Sequence, residues 1–348
     1  MQAKFGDIQD IPYSEKIQDI LQEALNSVDP QKAVENYLLR HKTADFFQNN
    51  THFTGIENKY LIGVGKAVLP MAKGALMFLG NGEIKGTLIA KHKNQDLIQQ
   101  FPRSILITQG AHPVPDESSV EAARKLIESL SDSKENDLVI CLISGGGSAL
   151  MTSPHSQISL PSIQQLTKEL LKSGADINEM NTIRKHVDQV KGGGLLRHIW
   201  PSHSITLILS DVIGDSVTMI ASGPTAPDPT TYKDALGIIK KYSLLARIDK
   251  SIVDHLQNGF EGKVPETVKP GDKILEIDGV STKGKSLFWA VKHLRGPKGT
   301  HVKVKVLHWG AIEPEEITII RARIIVNSVR KVRFLKDSSI GYIKLTSF

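Results

Sequence analysis

Cysteine is almost absent from this chain of 348 residues, and Cys141 is its single example. A lone cysteine inside an apolar run excludes a disulfide framework and a CxxC metal pair, so we expect a small buried side chain there. No apolar run approaches the roughly 18 residues of a membrane span. The first 16 residues also lack the apolar core of a signal peptide. The sequence therefore predicts a cytoplasmic protein that does not contact membranes.

Aromatic residues are scarce as well, at 5% of the chain. Excess positive charge is confined to the C-terminal quarter: residues 263–348 hold 17 Lys and Arg against 8 Asp and Glu, whereas the first 262 residues hold 26 against 29. Because no aromatic residues are interleaved with these basic ones, we interpret the quarter as a solvated β surface and expect no nucleic-acid partner. The shift in composition indicates a module boundary near 262–273.

The chain does contain a regular alternation of short apolar strands and amphipathic helices up to about residue 260. Strands are predicted over 60–64, 87–90, 104–108, 137–143 and 205–210, and helices over 14–40, 66–79, 117–131, 161–173 and 232–242. This alternation predicts an α/β fold in which helices cover both faces of a parallel sheet, with 138–143 and 205–209 in central strands. From about 270 the pattern changes to a small β-rich module, with strands over 273–277, 301–306 and 317–326 and one helix over 287–294.

The most informative segment is 138–151, LVICLISGGGSALM, in which a buried strand meets a run of glycines. Its loop residues are Ser144, Gly145, Gly146, Gly147 and Ser148. Glycines let a backbone approach an anion closely, and amides at a helix start point toward it. The alternative is a tight turn that needs glycine only for its dihedral angles. The segment matches neither common phosphate-loop motif.

A second glycine turn, Gly63-Val64-Gly65-Lys66, ends another predicted strand. A lysine at a helix start opposes the local dipole, which favours a lysine that reaches a bound phosphate or carboxylate over an incidental one. We therefore predict Gly63 and Gly65 as phosphate-binding residues and Lys66 as a side chain that reaches the bound phosphate or carboxylate.

Polar clusters follow farther along the chain. Asp211 and Asp215, after the strand 205–209, either cap the next element or hold Mg²⁺, and Asp211 is the better metal ligand or general base. The predicted substrate-binding residues crowd one probable helix: Glu179, Asn181, Arg184, Lys185 and His186. Arg184 could form a bidentate contact with a carboxylate or phosphate. A lone histidine such as His186 is more often structural.

Several of these segments, taken in order, resemble glycerate 2-kinases: LISGGGSALM, GAHPVPD, SGADINEMNTIRKHVDQVKGGGL, LILSDVIGD and ASGPTAPDPTTYKDA. The resemblance covers about 12–268. It implies a Rossmann-like nucleotide domain that transfers the γ-phosphoryl group of ATP, with Mg²⁺, to O2 of D-glycerate. The catalytic lysine of the family falls on Lys66 and its SGGGSAL loop on residues 144–150.

The resemblance changes at ETVKPGD, residues 266–272. Beyond it the chain resembles a partial PDZ domain and the first core strand of C-terminal processing proteases, so we predict domains over 1–268 and 269–348. The second domain of the kinase family, which the resemblance implies supplies a catalytic arginine, has no counterpart here, and we expect impaired kinase activity. Two alternatives stay open: a PDZ-type module that binds peptides weakly without protease activity, and an inactive chimera.

Overall fold

The computed structural model describes residues 14–43, 56–80, 82–93, 95–210, 212, 215–269, 271, 273–283, 285, 287–297, 299–307 and 313–321. The chain divides into two compact units, one that ends at Lys269 and one that begins at residue 270. Within the described residues, no helix combines the length and the apolar character needed to cross a membrane.

The first unit is built on a parallel sheet of five strands. They are β1 (Lys59–Val64), β2 (Ile84–Ala90), β3 (Ile105–Gln109), β4 (Leu138–Ser144) and β5 (His203–Leu209). Their spatial order is β3-β2-β1-β4-β5, the order of a Rossmann-like sheet, which confirms the predicted fold class. Strand β4 is completely buried between β1 and β5, as its continuous apolar run predicts.

The prediction that 205–209 lies in a central strand is wrong. Among the described strands, β5 is the outermost, and most of its residues are only half-buried. An apolar run indicates that a strand is covered on its faces, but it carries no information on whether a neighbour lies on both sides.

The helices of the first unit begin and end close to the predicted positions. They are α1 (Ser14–Ser27), α2 (Pro30–Thr43), α3 (Val68–Leu79), α4 (Gln95–Ile98), α5 (Glu117–Glu128), α6 (Gly147–Leu150), α7 (Leu160–Ser173), α8 (Ile177–Val187), α9 (Gly194–Ile199), α10 (Tyr232–Lys241) and α11 (Lys250–Phe260). Side-chain caps explain several starts: Asp29 accepts hydrogen bonds from the amides of Gln31 and Lys32, and Asp116 and Asp176 form capping boxes. Helix α11, which the periodicity analysis missed, is capped by Asp249.

The core of the first unit has three parts. Alternate side chains of β4 enter the two sheet faces: Leu142 packs with α2 and α3, whereas Cys141 packs with α5 and α9. Burial raises the pKa of the Cys141 thiol to about 12, in agreement with an inert core residue. The third part is a helical cluster of α7, α8, α10 and α11. Helix α8 thus has its own support, separate from the sheet.

The second unit contains a small antiparallel sheet and one helix. Its elements are β6 (Lys273–Ile277), β7 (Val280–Ser281), α12 (Leu287–Leu294), β8 (His301–Leu307) and β9 (Glu315–Ile320), and the strand order is β7-β6-β8-β9. Buried valines alternate with polar residues along β8 and pack with Ile277. The predicted strand 317–326 lies partly outside the described residues. The likeness to a PDZ domain stays a prediction.

Candidate active site

Two glycine loops meet at the carboxyl edge of the parallel sheet. Strands β1 and β4 are hydrogen-bonded neighbours, and Val64 pairs with Ile143 just before both chains turn. The amide of Lys66 donates to the carbonyl of Gly145 at 3.0 Å, and the amide of Ala67 donates to Ser144 Oγ at 3.1 Å. The loops after β1 and β4 therefore form one joined surface.

Close approach explains the glycines at this edge. A methyl group on Gly65, whose φ is +138°, would lie 2.1 Å from Ser144 Oγ. A methyl group on Gly63 would lie 2.7 Å from Val68 Cγ2, and one on Gly147 would lie 2.8 Å from Ala221 Cβ. These three positions are therefore required for packing, whatever they bind.

Gly146 has a different role because it faces the side chains of a histidine and a lysine. Its φ is +85°, and a methyl group there would lie 3.0 Å from His112 Cδ2 and 3.2 Å from Lys66 Cε. Helix α6, which starts at Gly147, is a single turn of four residues. Its dipole contributes little, contrary to the helix-start argument for this loop, so positive charge at this edge must come from side chains.

Ser148 is held by a chain of hydrogen bonds that reaches α8. Its hydroxyl lies 2.8 Å from Ser222 Oγ, and Ser222 donates to Asn181 Oδ1 at 2.9 Å. Because the single proton of Ser222 is used on Asn181, Ser148 donates its own proton to Ser222. Ser148 consequently presents lone pairs to its surroundings and suits a hydroxyl or a cation better than a phosphate oxygen.

A cleft of about 590 Å³ lies between this loop and α8, within the first unit. The loop side contributes Gly145, Gly146 and Ser148, and the α8 side contributes Asn181 and Arg184. Asp188 and Lys191 also line it, and they form a buried ion pair in which Lys191 Nζ also donates to the carbonyl of Met151 at 3.2 Å. The cleft therefore joins the glycine loop to a basic helix.

Arg184 is the exception in this pattern of pairing. Within the described residues, its guanidinium has no carboxylate or carbonyl partner, and the nearby Asp188 carboxylate is already bound to Lys191. Burial lowers the pKa of Arg184 below its ordinary value. A half-buried cation without a counter-ion suits a bound anion, such as a substrate carboxylate or phosphate.

Of the other predicted substrate-binding residues, Asn181 lines the cleft, whereas Glu179, Lys185 and His186 do not. Glu179 closes the capping box of α8 and binds Lys241 and Tyr242. Lys185 forms a buried ion pair with Asp228 at 3.1 Å, and His186 Nε2 lies 3.2 Å from Glu266. These three side chains therefore support the fold around α8, and their predicted contact with substrate finds no counterpart in the cleft.

One of the two predicted metal residues lies beyond what the structure covers. Asp211 is outside the described residues, so its predicted roles stay predictions. Asp215 is exposed, has a φ of +47° and does not line the cleft, although its neighbour Ser216 does. Across the described ranges, no group of three or more His, Cys, Asp and Glu side chains could hold a metal ion.

Sequence reasoning missed four residues at this edge: Lys91, His112, Asp188 and Lys191. Lys91 directly follows β2, and His112 lies three residues after β3. A rule that takes any basic residue just beyond the end of a parallel strand would have selected both. Asp188 and Lys191 carry no such signal, because their pairing depends on the turn after α8.

Comparisons with known proteins identify what the chain is similar to. The profile of a family described as domain of unknown function DUF4147 matches residues 16–257. The chain is 39% identical over 249 residues to a glycerate 2-kinase of Pyrococcus horikoshii, covering 71% of this chain and 54% of that protein. It is 39% identical over 227 residues to a D-glycerate 2-kinase of Thermotoga maritima, covering 65% and 50%.

A crystal structure of a Pyrococcus horikoshii protein is also similar. It has a TM-score of 0.62 and 35% identity, and the match covers 75% of this chain and 58% of that one. The chain thus spans about half the length of the curated relatives it matches. The family match over residues 16–257 spans both glycine loops and α8.

Proposed function

The chain belongs to the family described as domain of unknown function DUF4147, whose relatives include glycerate 2-kinases, and we propose that it acts as a glycerate 2-kinase. The proposed reaction is ATP-dependent phosphorylation of D-glycerate at O2, which gives 2-phosphoglycerate. The observation that carries the proposal is the pairing, in one cleft, of the glycine loop beside Lys66 with an uncompensated Arg184.

The substrate has two features that the cleft can match. Glycerate carries one carboxylate, and a bidentate arginine is the side chain best suited to it. Its O2 hydroxyl needs a hydrogen-bond acceptor that orients it, and Ser148 presents lone pairs at the same cleft. In this arrangement Arg184 sets the orientation of glycerate and Ser148 receives the O2 hydroxyl.

We place the nucleotide phosphates beside the glycine loop, near Lys66. Lys66 is exposed, its Cε lies over Gly146, and it has no acidic partner in the part of the chain that the structure covers. Such a lysine can neutralise the charge that develops on a transferring phosphoryl group. We propose that Asp211 and Asp215 would hold Mg²⁺, which when bound would offset the negative charge of the phosphates.

We further propose that this chain binds substrates better than it turns them over. The resemblance implies a catalytic arginine in the half of the family that the chain does not match. Loss of one cation that stabilises phosphoryl transfer lowers the rate on the order of 10³-fold or more. Nucleotide binding, by contrast, uses groups that precede residue 268.

Thermal unfolding of the full chain with MgATP, with D-glycerate and with both tests this proposal. A ligand at about 100 times its Kd stabilises a protein by ~2.7 kcal/mol, and we expect both ligands to raise Tm. Lys66→Met should abolish the MgATP shift. Lys134→Met, at an exposed lysine before β4 on the opposite sheet edge, should leave the shift unchanged.

A coupled assay for ADP release gives the second measurement. We expect turnover well below the 1–100 per second of ordinary kinases. Turnover within that range would refute the proposed impairment and leave the kinase function standing. Stabilisation by C-terminal peptides, without any effect of nucleotide or glycerate, would instead favour the PDZ-type alternative.

A further inference from the structure

Three neighbouring strands of the sheet are each followed by a basic side chain at the carboxyl edge. Lys66 follows β1, Lys91 follows β2 and His112 follows β3. These strands are adjacent in the sheet, so their ends lie side by side. Within the described ranges, no carboxylate bonds to any of the three side chains.

His112 is the member of this set that enters the cleft. Its Nε2 and Cδ2 lie 3.3 Å and 3.0 Å from the position that a methyl group on Gly146 would take, directly beside Lys66 Cε. It lines the same cleft as Arg184, and its ring nitrogens make no hydrogen bond within the described residues. An imidazole beside the glycine loop with both nitrogens available is a ligand-binding group by its chemistry.

The backbone on either side holds this imidazole in position. The amide of Gly110 donates to Ala90 at 3.2 Å, and the amide of Ala111 donates to Ser119 Oγ at 2.9 Å. On the other side, Asp116 caps α5 with two amides of its first turn. His112 therefore lies on a short segment whose backbone is fixed by hydrogen bonds on both sides, as is typical of preorganised binding groups.

We propose that His112 contacts the phosphates of the bound nucleotide, together with Lys66, and takes up a proton when they bind. This inference rests on the proposed kinase function and extends it to a second phosphate-binding residue. The proton comes from solvent, and an imidazolium can donate two hydrogen bonds, one of them to a phosphate oxygen.

The electrostatics around His112 agree with this role. Burial, then the charges of Lys66 and Lys91, lower the pKa of His112 below its ordinary value of 6.5. The other charged groups of the cleft are Arg184 and the Asp188–Lys191 pair, which together add positive charge. A bound polyphosphate reverses the sign of this field, and the imidazole then gains a proton near neutral pH.

Calorimetry with ADP tests the inference on the full chain. Titrations at pH 7 in two buffers of different ionisation enthalpy give the protons taken up on binding. We expect wild type to take up more protons than His112→Gln. At pH 6.5, His112→Gln should bind ADP roughly tenfold more weakly than wild type does, and at pH 8.5 the two affinities should be nearly equal.

His301→Gln, the same change at an exposed histidine of β8, is the matched control and should bind ADP as wild type does. NMR of the wild-type imidazoles provides a readout that needs no variant: the His112 titration should shift upward when ADP is added. If His112→Gln takes up as many protons and binds ADP as tightly as wild type, and the His112 NMR titration does not shift, the inference about His112 is overturned. The proposed kinase function would then still stand. Failure of wild type to bind ADP at all would overturn the proposed function as well.

Discussion

Replacement of Arg184 by methionine should weaken glycerate binding and, at the same time, preserve or raise the stability of the protein without ligand. The guanidinium is half-buried, lines the cleft and has no partner within the described residues. Burial lowers the pKa of Lys191, and the charge of Arg184 lowers it further, which is a repulsive interaction. Methionine keeps the apolar stem and removes both the repulsion and the cost of burying the charge.

The expected magnitudes follow from hydrogen-bond energies. A hydrogen bond between charged groups contributes ~1.5–3 kcal/mol, so loss of the Arg184–carboxylate contact should weaken glycerate binding roughly 10- to 150-fold. The free energy of unfolding without ligand should stay equal or rise by up to ~1 kcal/mol, as is common when a binding residue under strain is removed. Opposite signs for binding and stability are the signature of a ligand-binding cation.

Urea unfolding and calorimetric titration with D-glycerate measure the two effects. Arg197→Met is the matched control, because Arg197 donates a hydrogen bond to the Glu266 carbonyl at 2.7 Å. That variant should lose ~1 kcal/mol of stability and bind glycerate normally. If Arg184→Met were the destabilised variant and glycerate affinity were unchanged, Arg184 would be a structural residue and our reasoning would be refuted.

Three further outcomes follow from the same structure. Asp228→Asn should cost ~3–5 kcal/mol in urea unfolding, because it leaves the buried Lys185 without its counter-charge. Although burial alone would raise it, hydrogen bonds from a histidine and a backbone amide bring the pKa of Glu266 from 4.5 to about 2. The stability from Glu266 is thus complete above about pH 4.5 and lost as pH falls toward 2, so an acid titration of Glu266→Gln should lack that decline. Gly65→Ala should lose more than ~2 kcal/mol of thermal stability because its methyl group meets a serine at 2.1 Å, whereas Gly237→Ala, in open space on α10, should gain up to ~1 kcal/mol.

The fold could be predicted because the relevant information is local. An apolar run such as that of β4, or a cap such as Asp116, determines the structure of only the few residues around it. The alternation of strands and helices then predicts a parallel sheet. The edge position of β5 could not be predicted, because it depends on what else pairs with the sheet. Local pattern determines the element, whereas its neighbours are decided by the whole chain.

The candidate site also has a part that local sequence predicts and a part that depends on distant residues. The approach of Lys66 to the loop after β4 follows from the rule that parallel strands end at one edge. Which cations of α8 face the cleft does not follow from any local rule. Lys185 and Arg184 are adjacent in sequence, yet one is neutralised by Asp228, 43 residues away, and the other has no counter-ion among the described groups. A cationic side chain that supports the fold can be told from one that is available to a ligand only by whether a carboxylate distant in sequence pairs with it.

That pairing also explains where the first unit ends. Asp228 accepts hydrogen bonds from Lys185 and Thr267, its amide donates to the carbonyl of Val268, and Lys269 binds Glu266. The residues just before 270 thus complete a buried network that begins on α8, the helix that carries Arg184. If the sequence diverged before this network is complete, the charged residues of α8 would lose counter-charges. A change after Lys269 removes none of these counter-charges, so the residues that we propose to bind ligands keep their support.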